Sequence, residues 1–329
     1  MPTLYLRNAL LTIALAAGIA HAQDPAKPMR IGVLLSGSST QWSTFDDALV
    51  EGLRERGYVE GRNLVIVRRY GELQGDRIRS SATDLGAMQL DSIVTSCTTT
   101  TRAAASAAPK TPVIMASLSD PVAAGLVTSL AHPGGNVTGR ASYSVPLIGK
   151  RLGLLREVLP PSTRSGAKIA VMMNSKEPSH VEGLQQAEHD AKALNLEMLR
   201  IDTSGGMDAA LDALARSGAQ GLVVFSDDPV VIENRARVAA AAMRLKIPSI
   251  SSPKIYADAG GLMSYGMDMR DDFKLSAAYV VKVATGSRPG DLPVEMPTLT
   301  ELTINLKTAA ALGISIPREL RLQAHNVIE

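Results

Sequence analysis

The chain has 329 residues, 45% of them apolar and 20% charged, with a net charge of +2. That length allows two lobes of ordinary domain size, each with its own core. The composition excludes a disordered chain, and neither sign of charge dominates enough to indicate a nucleic-acid partner. Aromatic residues are only 3%, so the cores must be built from Ala, Val, Leu, Ile and Met.

The first residues, "MPTLYLRNALLTIALAAGIAHAQDP", read as a signal peptide over residues 1–22. Arg7 precedes an apolar stretch from Ala9 to Ala20, and Ala20-His21-Ala22 forms an A-x-A cleavage pattern. The apolar stretch is short for a membrane span. No cysteine follows it, so a lipid anchor is not expected. The expectation is a monomeric protein, exported to the periplasm and cleaved after Ala22. The single cysteine, Cys97, cannot form an internal disulfide.

Strands and helices then alternate. "MRIGVLLSG" reads as a strand, and Ser43 to Gly57 as an amphipathic helix with Phe45, Leu49 and Leu53 on one face and Gly57 closing it. "NLVIVRRY", "DSIVTS" and "TPVIMAS" continue as strands, with "GDRIRSSATDLGAMQL" and "TTTRAAASAA" as the helices between them. This rhythm predicts right-handed βαβ units on a parallel sheet. Residues 131–146, rich in Gly, Ser and Pro, interrupt it and read as a crossing segment. The pattern restarts with helices "LIGKRLGLLREVLP", "SHVEGLQQAEHDAKALN", "GMDAALDALARSG" and "VVIENRARVAAAAMRLK" around strands "AKIAVMMNS", "LEMLRID", "QGLVVFSDD", "IPSISS" and "GLMSYGM". The helix "DDFKLSAAYVVKVATG" has no strand partners nearby and would fit back onto the first half. The tail predicts an extended stretch and a short helix from Leu306 to Leu312. Two arrangements fit: two independent flavodoxin-like domains on one linker, or two lobes between which the chain crosses more than once.

No P-loop, dinucleotide fingerprint or nucleophile elbow is present. The five histidines are scattered and read as surface or capping residues, with no metal-ligand spacing. No cofactor, metal or catalytic group is expected. Polar clusters recur instead just past strand ends: "SGSSTQW", "TSCTTTT", "SLSDPVAAG", "MNSKEPSH" and "FSDDPV". Each could simply cap a helix, but ligands of open parallel sheets bind outside the carboxyl ends of the strands, where helix N-termini favour anions. Five such clusters point to a shared ligand cleft. Asp120 and Asp227 each stand close before a proline, at or near a helix N-cap, where a carboxylate could also accept from an ammonium. Trp42 fits either a core or a cleft wall.

"LRERGYVEGRN" (Leu53 to Asn63), "SDPVAAGLVTSLAHPGGNVTG" (Ser119 to Gly139), "GKRLGLLREVLP", "AGGLMSYG" and "DLPVEMPTLTELTINLKTAAALGISIP" resemble blocks of the ABC-transporter substrate-binding protein family that includes tryptophan/tyrosine-type solute receptors. The resemblance covers nearly all of the chain after the signal segment. It implies a type I periplasmic-binding fold: two doubly wound parallel-sheet α/β lobes, residues 30–141 plus 267–293 and residues 142–266 plus 294–329, joined by three hinge crossings. It implies a passive receptor, not an enzyme, that delivers a small solute to a membrane permease and its ATPase. An amino acid or related carboxylate would then place its anionic end on Ser38, Thr98 and Thr99 and its ammonium on Asp120 or Asp227. Asn174, Tyr143, Tyr265 and Trp42 would line the pocket. A periplasmic sensing module for a signalling partner would use the same cleft. The family pattern carries a small residue where Cys97 stands and a proline where Thr99 stands. The low aromatic content argues against an aromatic solute.

Overall fold

The computed structural model describes residues 27–142, 147–225 and 228–329; the expected signal segment, Tyr143 and Asp227 lie outside them. The first half runs β1 (Met29–Leu35), α1 (Ser39–Glu55), β2 (Leu64–Tyr70), α2 (Gly75–Gly86), β3 (Ser92–Thr95), α3 (Thr98–Ala107), β4 (Val113–Leu118) and β5 (Val137–Ala141). These strands form one all-parallel sheet in the order β2-β1-β3-β4-β5. β3 and β4 are buried along their whole length, as strands covered on both faces by helices must be.

The second half runs α4 (Ile148–Val158), β6 (Lys168–Met173), α5 (Pro178–Ala193), β7 (Glu197–Asp202), α6 (Met207–Arg216), β8 (Gly221–Val224), α7 (Pro229–Glu233), α8 (Arg235–Arg244), β9 (Ser249–Ser251), α9 (Ile255–Asp258) and β10 (Met263–Gly266). Then come α10 (Met269–Ala284), β11 (Glu301–Asn305), α11 (Leu306–Leu312), α12 (Arg318–Gln323) and β12 (Asn326–Ile328). The second sheet has the order β12-β11-β10-β9-β8-β6-β7, with β11 antiparallel to β10. Its parallel part, β7-β6-β8-β9-β10, repeats the strand order of the first sheet. Both halves are therefore doubly wound in the flavodoxin-like sense.

α10 doubles back onto the first half. Its Phe273 ring stacks on Phe45 of α1 at 5.3 Å, and Trp42 meets Phe45 edge-on at 5.3 Å. The two helices touch backbone to side: a Cβ on Gly52 of α1 would stand 2.2 Å from the Lys274 carbonyl oxygen. The chain thus passes from the first sheet to the second after β5, returns through α10, and leaves again before β11. The first and last of these passages lie side by side, Arg140 pairing with Glu295 and the Ala141 N–H donating to the Glu295 carbonyl at 2.9 Å. This settles the two arrangements left open by the sequence in favour of two lobes with repeated crossings.

Three local readings change. The segment expected to be irregular carries β5, an edge strand of the first sheet. Its loop-like glycines have a structural cause: Gly139 adopts φ +131°, and a Cβ there would stand 2.2 Å from the Met115 carbonyl. The expected single helix over "VVIENRARVAAAAMRLK" is two helices, α7 and α8, broken at Asn234. The Asn234 amide donates to the Val230 carbonyl at 2.9 Å, the local side-chain competition that disfavours Asn inside helices. α12 and β12 extend the tail beyond the expected short helix. No helix among the described residues is long and apolar enough to cross a membrane.

Candidate ligand cleft

In a doubly wound sheet the crevice lies where neighbouring strands send their helices to opposite faces. In the first lobe that point is between β1 and β3, and in the second between β6 and β8. The two points face each other. Ser38, which follows β1, donates its hydroxyl to Glu233 Oε1 at 2.6 Å, and its N–H to Oε2 at 3.1 Å. Thr98, which follows β3, donates its hydroxyl to Glu177 Oε1 at 3.1 Å.

Between these contacts lies a cavity of about 30 Å³. Ser96, Cys97 and Thr98 line it from the β3 edge, and Ser117, Leu118 and Ser119 from the β4 edge. Glu177, Ile232, Ser252 and Pro253 line it from the second lobe, and Ser142, Met267 and Met269 from the crossings. Hydroxyls and apolar groups predominate. A groove of about 660 Å³ opens outside it, between α2, α3 and the loop before α5, and Thr98 and Glu177 line both spaces. Arg79, Arg102 and Lys176 give the groove a basic wall.

Two lining hydroxyls are unusual. Ser119 and Ser142 are buried, at 5% and 8% exposure, yet neither hydroxyl oxygen has a hydrogen-bond partner. Buried polar groups are normally satisfied, so both hydroxyls are open to a polar partner entering the cavity. Ser96 and Ser117 are committed elsewhere. Ser96 accepts the Ser36 N–H at 3.2 Å. Ser117 donates to Asp272 Oδ2 at 3.1 Å, and Asp272 Oδ1 accepts from Arg140 Nε at 2.8 Å. Arg140 also reaches Glu295 at 3.1 Å. The cleft floor is thereby tied to α10 and to two crossing passages. Burial pushes the Asp272 carboxyl up to about 6, against the opposing pull of Arg140 and Ser117.

Of the expected site residues, Thr98 lines the cavity, and Thr99 is exposed in the outer groove. Ser38 lies on the interlobe face with its donors engaged by Glu233. Asp120 caps the turn after β4, its Oδ1 accepting from the Val122 and Ala123 N–H groups at 3.0 and 2.9 Å. Asn174 follows β6; its Oδ1 accepts from the Lys176 N–H at 3.0 Å, and its backbone N–H donates to Nδ1 of the fully buried His180. Tyr265 packs against the second-lobe core, its hydroxyl accepting from Thr300 at 3.3 Å. Trp42 is buried in the first-lobe core. The structure gives no aromatic side chain on the cavity wall among the described residues.

Sequence reasoning did not select Ser119, Ser142, Glu177, Ile232, Met267 or Met269. Ser119 and Glu177 stand inside the polar clusters "SLSDPVAAG" and "MNSKEPSH" and were legible there; carboxylates beside proline drew attention to Asp120 instead. Ser142, Met267 and Met269 lie on crossing passages, which no strand-end pattern marks. Among the described residues no three His, Cys, Asp or Glu side chains gather as a metal site.

A cleft walled by two doubly wound lobes, floored by paired crossing strands and lined by hydroxyls defines a solute-binding protein of the two-lobed type. The chain belongs to the ABC transporter substrate-binding protein family, whose profile matches residues 30–328. The members of that family are solute-binding proteins rather than enzymes. A tyrosine-binding protein of Clostridioides difficile (strain R20291) is 28% identical over 306 residues, 92% of this chain and 85% of that protein. The ABC domain from Streptococcus pneumoniae in complex with L-Trp superposes with a TM-score of 0.81 at 25% identity, over 92% of this chain and all of that one. A ligand-free, open substrate-binding protein from Clostridium difficile, also 25% identical, reaches 0.65, over 91% of this chain and 99% of that one.

Proposed function

We propose that this chain is the extracytoplasmic receptor of an ABC importer, capturing an amino acid between its lobes and presenting it to a membrane permease and its ATPase. The division into residues 30–141 plus 267–293 and residues 142–266 plus 294–329 belongs to the same reading. The observation that carries it is the pair of buried, unpartnered hydroxyls of Ser119 and Ser142 facing one interlobe cavity. They suit the carboxylate of a zwitterion, next to the N-terminus of α3, whose dipole favours an anion. Glu177 supplies the carboxylate for the ammonium. Leu118, Ile232, Met267 and Met269 offer an apolar wall for the side chain, and the soft methionines adapt to rings as well as to aliphatic chains.

A cavity of about 30 Å³ holds water but not a tyrosine or tryptophan side chain. An aromatic amino acid would enter only with the lobes set further apart, as hinge closure allows. Thermal unfolding of the mature protein with each standard amino acid and small carboxylates tests the reading. At 100-fold over its Kd a ligand that binds only the folded form adds about 2.7 kcal/mol. L-tyrosine and L-tryptophan are the first probes, because two of the relatives are described with these amino acids. No shift with any amino acid or carboxylate sinks the proposal.

A further inference from the structure

We propose that Glu233 is the closing latch of the receptor: its carboxylate docks on the N-terminus of α1 and holds the lobes together independently of the solute. The inference rests on the two-lobed closure of the proposed function, not on which solute is carried. The dock is built from two donors of one residue. The Ser38 N–H and hydroxyl grip the two carboxylate oxygens at 3.1 and 2.6 Å. α1 is 17 residues long, so its positive end favours an anion at that spot.

An independent feature points to the same place. Trp42 is wholly buried, yet its indole N–H has no hydrogen-bond partner. A Cβ built on Gly37 would lie 2.1 Å from that nitrogen and 2.4 Å from Glu233 Oε2. Indole donor and carboxylate therefore share one small space, which stays open only because residue 37 is glycine. The unpaired N–H borders that space, and the Glu233 carboxylate of the second lobe enters it beside the indole without accepting from it.

The position of Glu233 gives the dock its consequence. It ends α7, one residue after Ile232, which lines the cavity. Movement of that cavity wall and release of the latch are thus linked through one short helix. Because Ser38's donors are spent in the closed form, the solute must be held elsewhere. Closing and recognition use separate groups, and a ligand shifts the population by adding its own contacts to those of the latch.

Small-angle X-ray scattering of the purified mature protein without added solute tests this, at low salt and in 1 M NaCl. Glu233→Gln keeps the shape and removes the charge. Gly37→Ala fills the recess from the opposite lobe. Wild type is expected to be compact at low salt and to expand at high salt, where the Debye length falls to about 3 Å. Both variants are expected to show a larger radius of gyration already at low salt and a reduced salt response, while still unfolding cooperatively on heating. With L-tryptophan as a calorimetric probe, Glu233→Gln is expected to raise Kd by about ten-fold. Variant curves that superpose on wild type, or a wild type whose lobes are already apart at low salt, overturn the latch. Absence of any L-tryptophan heat bears on the solute reading and leaves the scattering to decide the latch.

Discussion

The four threonines after β3 divide their work by position along one helical turn. Thr98 faces the cleft and Thr99 faces solvent. The Thr100 hydroxyl accepts the Cys97 N–H at 3.1 Å, and Thr101 donates to the Cys97 carbonyl at 2.8 Å, so these two are consumed locally. Cys97, the chain's single thiol, also lines the cavity. Ser119→Ala and Ser142→Ala each remove one orphaned hydroxyl without removing a protein partner. We expect each to leave the unfolding temperature of the empty protein unchanged, or slightly raised, and to weaken amino-acid binding by about ten-fold, at about 1–1.5 kcal/mol per hydrogen bond. Calorimetry on the two variants checks this, and unchanged affinity in both removes them from the site. Asp272 carries the pH prediction. Its folded pKa, about 6, lies above the ordinary carboxylate value near 4. Across that window the folded state holds more protons than the unfolded chain, so this group's stabilising contribution is present below about pH 4 and is lost as pH rises through about 6. Asp272→Asn should flatten that slope in denaturant titrations; an unchanged slope assigns it to other groups.

At the scale of elements, α10 is joined to the first lobe by a close helix crossing and an ion cluster, Lys274 with Glu51 at 2.8 Å and with Glu55 at 2.7 Å. The ions are half-exposed and contribute little. The close approach matters more. Gly52→Ala would drive a methyl into the Lys274 carbonyl, a backbone atom that cannot swing away. We expect a loss of about 1–3 kcal/mol, read as a lower denaturant midpoint with an unchanged slope. Between elements, Arg140 joins β5, α10 and the third passage through one guanidinium, with side-chain exposures of 7% for Arg140 and 2% for Asp272. Arg140→Met leaves the Asp272 charge buried without its partner, which costs about 3–5 kcal/mol. The loss should be smaller below pH 5, where Asp272 is protonated. A loss equal at pH 5 and pH 8 contradicts the charge account.

At the scale of the molecule, two sheets with the same strand order meet carboxyl edge to carboxyl edge, and glutamates of one lobe reach the helix N-termini of the other. Dipoles and charges are complementary across the cleft, so opening costs interactions even without solute, and the barrier to opening should fall with ionic strength. The leading segment belongs to this scale too. We propose that residues 1–22 are removed on export so that the mature form begins at Gln23, and the intact mass of the secreted form checks it; retention of residues 1–22 as a membrane anchor overturns it.

Strand and helix types were legible from periodicity wherever a segment was long and buried on a defined face, as in β1, α1 and the helix α10, whose lack of neighbouring strands already placed it on the first lobe. The short tail strand β12 and the bulged edge strand β5 were not legible, because three residues carry no period and β5 is interrupted by Gly139. The family-specific blocks, the strand-end polar clusters and the absence of any catalytic constellation follow from the amino-acid order alone, since each depends on residues adjacent in the chain. Which hydroxyl faces the solute, which carboxylate caps a turn and which crosses the cleft depends on where two lobes meet. Ser142 and Glu233, 91 positions apart, acquire their roles only when the crossings bring the sheets face to face. Burial and desolvation, which orphan one serine and engage another, are properties of that closed geometry and of no local sequence pattern.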